Sequence, residues 1–179
     1  MLEGVRLRVG LSYSRVHFRR NRDIVMNFTD AMTRSRRALV IFPESTPDHE
    51  SISTLFRYLL RKFSSDGVMV LLRNDQLRAM ASTPPIKTLV YSSDDINTWF
   101  LPRRDLLKKM ETNSFDFALD LNVKLSLPSA FLCKASNAPL RASFAKQGGD
   151  QFYNLQVQTK GAAINSQSYR SLLKCLDMF

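Results

Sequence analysis

Short apolar runs alternate with amphipathic segments along most of this chain, and that alternation predicts the fold class. ALVIF (38–42) and VMVLL (68–72) are continuous apolar runs of the length expected for strands buried on both faces. Residues 87–91, 117–121 and 140–144 are three further candidate strands, and 152–158 reads as a sixth strand or an extended edge. The clearest helical pattern lies between the first two strands. Ile52, Leu55, Phe56, Leu59, Leu60 and Phe63 fall at i, i+3, i+4, i+7, i+8 and i+11, which is one wide apolar face. Shorter helices are predicted at 74–81 and 102–112. Pro128 is tolerated in the first turn of another helix, which presents Phe131, Leu132 and Ala135. Leu172, Leu173 and Leu176 mark a closing helix.

Strands alternating with helices point to an α/β three-layer sandwich, Rossmann-like, with a mostly parallel sheet of five or six strands. Residues 1–22 lack clear periodicity and read as a basic N-terminal arm. Residues 23–179 then form a single domain, with a packing helix at 23–34, a sheet core over 38–158 and the closing helix at 166–178. The packing helix rests on Ile24, Val25, Phe28 and Met32 at helical spacing.

Charge changes this picture at one end. The 179 residues carry a formal net charge of +10. Residues 1–37 hold nine arginines against Glu3, Asp23 and Asp30, so six of the ten charges sit in about a fifth of the chain. Arg15, Arg19, Arg20, Arg22, Arg34, Arg36 and Arg37 are candidate contacts for an anionic partner: an acidic membrane face, an acidic glycan or nucleic acid. The bland alternative is a solvated surface. Aromatic interleaving is thin and no nucleic-acid-binding motif is present, so nucleic acid is the less favoured partner. No run approaches the roughly 18 to 20 apolar residues that span a bilayer. The first residues break their apolar positions with arginines, unlike a secretory signal. Cys133 and Cys175 sit at apolar positions and read as reduced thiols, and His17 and His49 are too few for a histidine metal cluster. A cytoplasmic location, peripheral to the inner membrane face where the basic end meets lipid, is the expectation. No cofactor and no metal are expected.

Sheets of this kind bind ligands beyond the carboxyl ends of their strands. That edge directs attention to Asp48 and His49 after the first strand and Lys124 after the fourth. Arg141, on the fifth strand, is a candidate contact for an anionic sugar. Asp48 also suits a helix N-cap, which would spend its carboxylate on backbone N–H groups. Asp120 reads as a strand-end hydrogen-bonding residue rather than a catalytic one.

From ALVIF onward, the order and spacing of segments resemble the N-terminal half of the heptosyltransferase-like glycosyltransferases, family nine, which have the GT-B fold. The resemblance runs from about Arg37 to Phe144. It rests on Phe56-Arg57-Tyr58-Leu59 in the first long helix and on Phe115-Asp116-Phe117-Ala118-Leu119-Asp120-Leu121. Ser136-Asn137-Ala138-Pro139-Leu140-Arg141-Ala142-Ser143-Phe144 extends it. The resemblance implies that Asp48 occupies the place of the family's loop aspartate, the general base on the acceptor hydroxyl. It places Asp120 and Arg141 in family positions, whereas the binding roles expected of His49 and Lys124 rest on their place at the sheet edge. Two departures weigh against transfer. Glu44 and Pro47 replace the family's loop glycines, which removes a loop able to bring backbone N–H groups close to a substrate. The residues after Gln158 are too few to build the second domain, which in the family binds the sugar donor. The expectation is a glycosyltransferase-like half-domain that does not transfer sugar alone, acts in cell-envelope polysaccharide assembly, and pairs with a partner domain or a second copy. The alternative is a basic nucleic-acid-binding or scaffold module on an α/β platform.

Overall fold

The computed structural model describes residues 2–21, 23–45, 49–80, 86–159 and 166–179. Six parallel strands form one sheet: β1 (Ala38–Ile41), β2 (Val68–Arg73), β3 (Lys87–Tyr91), β4 (Phe117–Asp120), β5 (Leu140–Phe144) and β6 (Leu155–Val157), in the order β3-β2-β1-β4-β5-β6. The α/β class and the strand count follow the reading of the apolar runs. β1 is central and fully buried, which explains why its sequence is an unbroken apolar run rather than an alternating one.

Helices cover both faces. α2 (Phe28–Arg34), α3 (His49–Gly67) and α6 (Ser166–Asp177) pack on one side, where Val40 and Phe117 meet Leu55, Phe56, Phe63, Tyr169 and Leu172. α1 (Leu2–His17), α4 (Arg104–Glu111) and α5 (Leu127–Ala135) pack on the other, where Leu39, Ile41 and Ala118 meet Leu106, Met110, Phe131 and Phe152. Successive residues of β1 alternate between the two cores, as the two-residue strand period requires. A 3-10 turn over Asn74–Met80 stands where a short helix was expected. α3 is interrupted at Ser64, whose φ of 60° breaks the helix one turn before β2 begins.

Two N-terminal expectations are corrected. Residues 2–17, read as lacking periodicity, form a sixteen-residue helix. Its apolar residues fall on two opposite faces, so no single periodicity emerges. Leu7, Leu11 and Gly10 turn toward the body, while Leu2, Val5, Val9, Tyr13 and Val16 are exposed. The packing helix is also shorter than expected. Asn27 caps α2 by accepting hydrogen bonds from the Thr29 and Asp30 N–H groups at 2.9 and 3.3 Å. Ile24 and Val25 therefore precede the helix, and they are exposed.

α1 docks at Gly10. A Cβ there would run into the Trp99 carbonyl oxygen and the Leu127 side chain, so only glycine allows the helix to lie this close. Gly4, six residues earlier, meets nothing within 4 Å. The same substitution at the two positions should thus have opposite signs. Gly4→Ala should stabilise by about 0.5–1 kcal/mol through helix propensity. Gly10→Ala should destabilise by about 1–3 kcal/mol through overpacking. Urea unfolding of the two variants checks both values.

Candidate functional site

The carboxyl edge of the sheet opens into a cleft of about 820 Å³. Its floor is formed by Arg73 at the end of β2, Tyr91 at the end of β3 and Glu44 after β1, and Ser126 and Leu127 at the start of α5 close one side. Glu3, Gly4, Arg6 and Leu7 of α1 also line the cleft, together with Ile96, Asn97 and Phe100. The N-terminal helix is therefore part of the cleft's architecture. Arg6 fixes it there: its Nε donates to the Thr98 carbonyl at 2.5 Å, and its guanidinium lies over the Phe100 ring, 4.7 Å from the centroid.

The polar groups in the cleft are held by one another. Ser126 Oγ donates to the Glu44 carboxylate. Arg73 grips Asp75 with Nε and a terminal nitrogen, at 3.0 and 2.5 Å. Gln76 accepts from the Arg73 N–H at 3.1 Å and donates to the Pro43 carbonyl at 2.5 Å, which ties the loop after β1 to the end of β2. Burial, reinforced by the Glu44 charge, pushes the Tyr91 phenol up to about 12, and the nearly buried ring lines the cleft as a neutral polar group. Carboxylate, guanidinium, phenol, hydroxyl and amide groups converge on one concave space.

Behind this cleft stands a buried ionic cluster. The Asp120 side chain, at the end of β4, has no exposure. Its Oδ1 accepts from the Asn122 backbone N–H and side-chain amide at 3.0 and 2.7 Å. Its Oδ2 accepts from the Tyr153 hydroxyl and from Lys146 Nζ, the latter at 3.2 Å. Lys146 also donates to the Asn122 carbonyl at 2.5 Å and sits over the Tyr153 ring. Burial and the neighbouring Asp120 charge raise the Tyr153 phenol well above its ordinary value. Asn122 in turn accepts the Glu44 backbone N–H at 2.8 Å, linking the cluster to the cleft.

The predicted site residues separate. Asp48 and Arg22 lie outside the described residues. His49 opens α3 at the carboxyl edge. Lys124 is exposed in the loop between β4 and α5, at the expected edge but outside the cleft lining. Arg141 is the correction. It sits at the beginning of β5, in register with Ala118 near the start of β4, so it occupies the amino edge, across the sheet from the cleft. Its buried guanidinium donates to the Phe152 carbonyl at 2.9 Å, to the Ala138 carbonyl at 2.6 Å and to the Asp23 carboxylate. Lys134 Nζ joins the same carboxylate at 2.8 Å. Arg141 thus clamps the N-terminal segment, and with Asp23, Lys134 and Pro139 it lines a smaller amino-edge pocket of about 250 Å³. Arg36 and Arg37 also stand at the amino edge, where Asp116 accepts both of their backbone N–H groups at 2.8 and 2.9 Å. Arg15, Arg19, Arg20 and Arg34 are exposed.

Sequence reasoning missed Arg73, Tyr91, Lys146 and Tyr153. A buried aspartate at a strand end demands a counter-charge, and Lys146, two residues beyond the neighbouring strand, was the available signal. Arg73 and Tyr91 carried none, because they are ordinary strand-end residues until the sheet order sets them side by side. Among the described residues, no group of three acidic, histidine or cysteine side chains is placed to hold a metal, and no helix is long and apolar enough to cross a membrane.

No protein-family model and no curated protein matches the chain. Solved structures do. A family 9 glycosyl transferase from Veillonella parvula aligns with a TM-score of 0.55 at 15% identity, over 80% of this chain and 42% of that one. The fold is glycosyltransferase-like. ADP-heptose lps heptosyltransferase II of E. coli aligns with a TM-score of 0.47 at 18% identity, over 70% of this chain and 35% of the other. The chain thus spans well under half the length of either glycosyltransferase.

Two outcomes follow for this glycosyltransferase-like domain. Lys146→Met leaves Asp120 buried without its counter-charge and should cost about 3–5 kcal/mol in urea unfolding. At the amino edge, partial burial would raise the Asp23 carboxyl, but hydrogen bonds from Lys134 and Arg141 outweigh it and hold the pKa below the ordinary value. A depressed carboxylate contributes stability that is present above its unfolded pKa and lost as pH falls through the folded one. Thermal melts should therefore show an acid-side loss beginning near pH 4. Asp23→Asn should flatten that part of the profile.

Proposed function

We propose that this protein is a glycosyltransferase-like half-domain that binds a polyhydroxylated, glycan-type ligand in its carboxyl-edge cleft and does not transfer sugar by itself. The observation that carries this reading is the cleft's composition. A protonated Tyr91, the paired Arg73 and Asp75, and Glu44 with Ser126 are donors and acceptors of the kind that sugar hydroxyls satisfy, set in a space of about 820 Å³. Three carboxylates line the cleft: Glu44, which accepts from Ser126, Asp75, which pairs with Arg73, and Glu3. The non-catalytic reading rests on the loop after β1, where Glu44 and Pro47 stand in place of the glycines that the resemblance calls for, so that a backbone able to approach a substrate closely is lost.

Donor contacts, on this reading, come from a partner domain or a second subunit, and the role is auxiliary to cell-envelope polysaccharide assembly. Calorimetric titration with acidic envelope oligosaccharides and with nucleotide sugars tests both halves of the reading. Saturable oligosaccharide binding, with no transfer product from the chain alone, is the expected result. Arg73→Ala should weaken that binding tenfold or more, the scale of a lost charge-assisted hydrogen bond, with an unchanged melt. Turnover of a nucleotide sugar by this chain alone would overturn the non-catalytic reading, and absence of any glycan binding would overturn the acceptor reading.

A further inference from the structure

The outward face of α1 has no role in the cleft or in the core. Leu2, Val5, Val9, Tyr13 and Val16 recur at intervals of three and four and are 81%, 54%, 41%, 52% and 70% exposed. At 100° per residue they fall within roughly an 80° arc, on the side away from Leu7, Gly10 and Leu11. Arg8 and Arg15 line one flank of this stripe and are exposed, and Arg19 and Arg20 follow in the next turn, also exposed. Just beyond stand Ile24 at 77% and Val25 at 100% exposure. The helix carries a single acidic residue, Glu3.

We infer that α1 lies on an anionic lipid bilayer, with this valine-rich stripe in the headgroup boundary and its arginines on lipid phosphates. Charge decides between the occupants an apolar stripe can have. A second copy paired antiparallel along the stripe would set Arg8 against Arg15, and a parallel copy would set the Arg8 flank against Arg6, so self-association places like charges face to face. Nucleic acid would satisfy the arginines and could stack on Tyr13, but it would gain nothing from the four exposed aliphatic side chains of the stripe. An anionic bilayer satisfies both, since acyl chains accept the stripe and phosphates accept the arginines. The helix lies on the bilayer and does not cross it, because it is neither long nor apolar enough to span. The inner face of the same helix walls the cleft, so attachment would hold the cleft mouth beside the membrane. The inference is independent of the glycan reading, because it concerns the opposite face and a surface that carries no sugar.

Co-sedimentation with glycan-free vesicles tests it, using phosphatidylcholine alone and phosphatidylcholine mixed with phosphatidylglycerol. The expected result is partitioning to the anionic vesicles alone, declining as salt rises. The double variant Arg8→Gln/Arg15→Gln should weaken it roughly thirtyfold, at about fivefold per arginine. Val9→Asp/Val16→Asp should abolish it while leaving the thermal melt unchanged, because both side chains are exposed. Three results would overturn the inference. They are no partitioning to anionic vesicles at low salt, undiminished binding by the aspartate variant, and a concentration-dependent dimer that the aspartate variant dissolves.

Discussion

The carboxylate of Asp120 is the fixed point around which the carboxyl edge is arranged. A buried charge is costly unless every lone pair is used, and here both oxygens are occupied, by Asn122 on one side and by Lys146 and Tyr153 on the other. The consequences spread through hydrogen bonds of definite direction. Asn122, oriented by Asp120, holds the backbone of Glu44, and Glu44 holds Ser126 at the head of α5. Ser143 of β5 donates to the Asp120 carbonyl at 2.8 Å, bringing the neighbouring strand into the same network. The loop after β1, the β4–α5 connection and the segment that carries Lys146 and Tyr153 are thereby tied to Asp120. Such a network specifies a single arrangement because any partial version leaves a buried polar atom unpaired.

The two edges of the sheet are used for different purposes. At the amino edge, charged groups serve to fasten chain to chain. Arg141 and Lys134 converge on Asp23, and Asp116 collects the backbone N–H groups that lead into β1. At the carboxyl edge, the charged pair Arg73–Asp75 and the Glu44 carboxylate face open space. This division accords with the general placement of ligands in parallel sheets, and here it rests on hydrogen-bond partners that can be named.

Much of this architecture was legible in the sequence. The apolar runs at 38–42 and 68–72 announce strands buried on both faces, and the pattern from Ile52 to Phe63 announces the long helix between them. α1 was not legible because apolar residues on opposite faces cancel the periodicity by which helices are recognised. The site was only partly legible, for a related reason. Arg141 was expected beside Asp48 and Lys124, yet the register places it at the opposite, amino edge of the sheet. Arg73 and Tyr91 are eighteen residues apart in sequence and become adjacent only through the pairing of β2 with β3. Strand order and register are long-range facts, and the local patterns that reveal strands do not contain them.

The close seat of α1 at Gly10 has a bearing on what the cleft can admit. The helix that forms one wall rests against the Trp99 backbone through a residue with no side chain, and Arg6 holds it there. The wall therefore lies close against the Trp99 backbone, and its seat is set three to seven residues away from the α1 groups that line the cleft. Position 10 thus sets the width of the cleft, and a larger residue there would widen it without altering a single polar group in its lining.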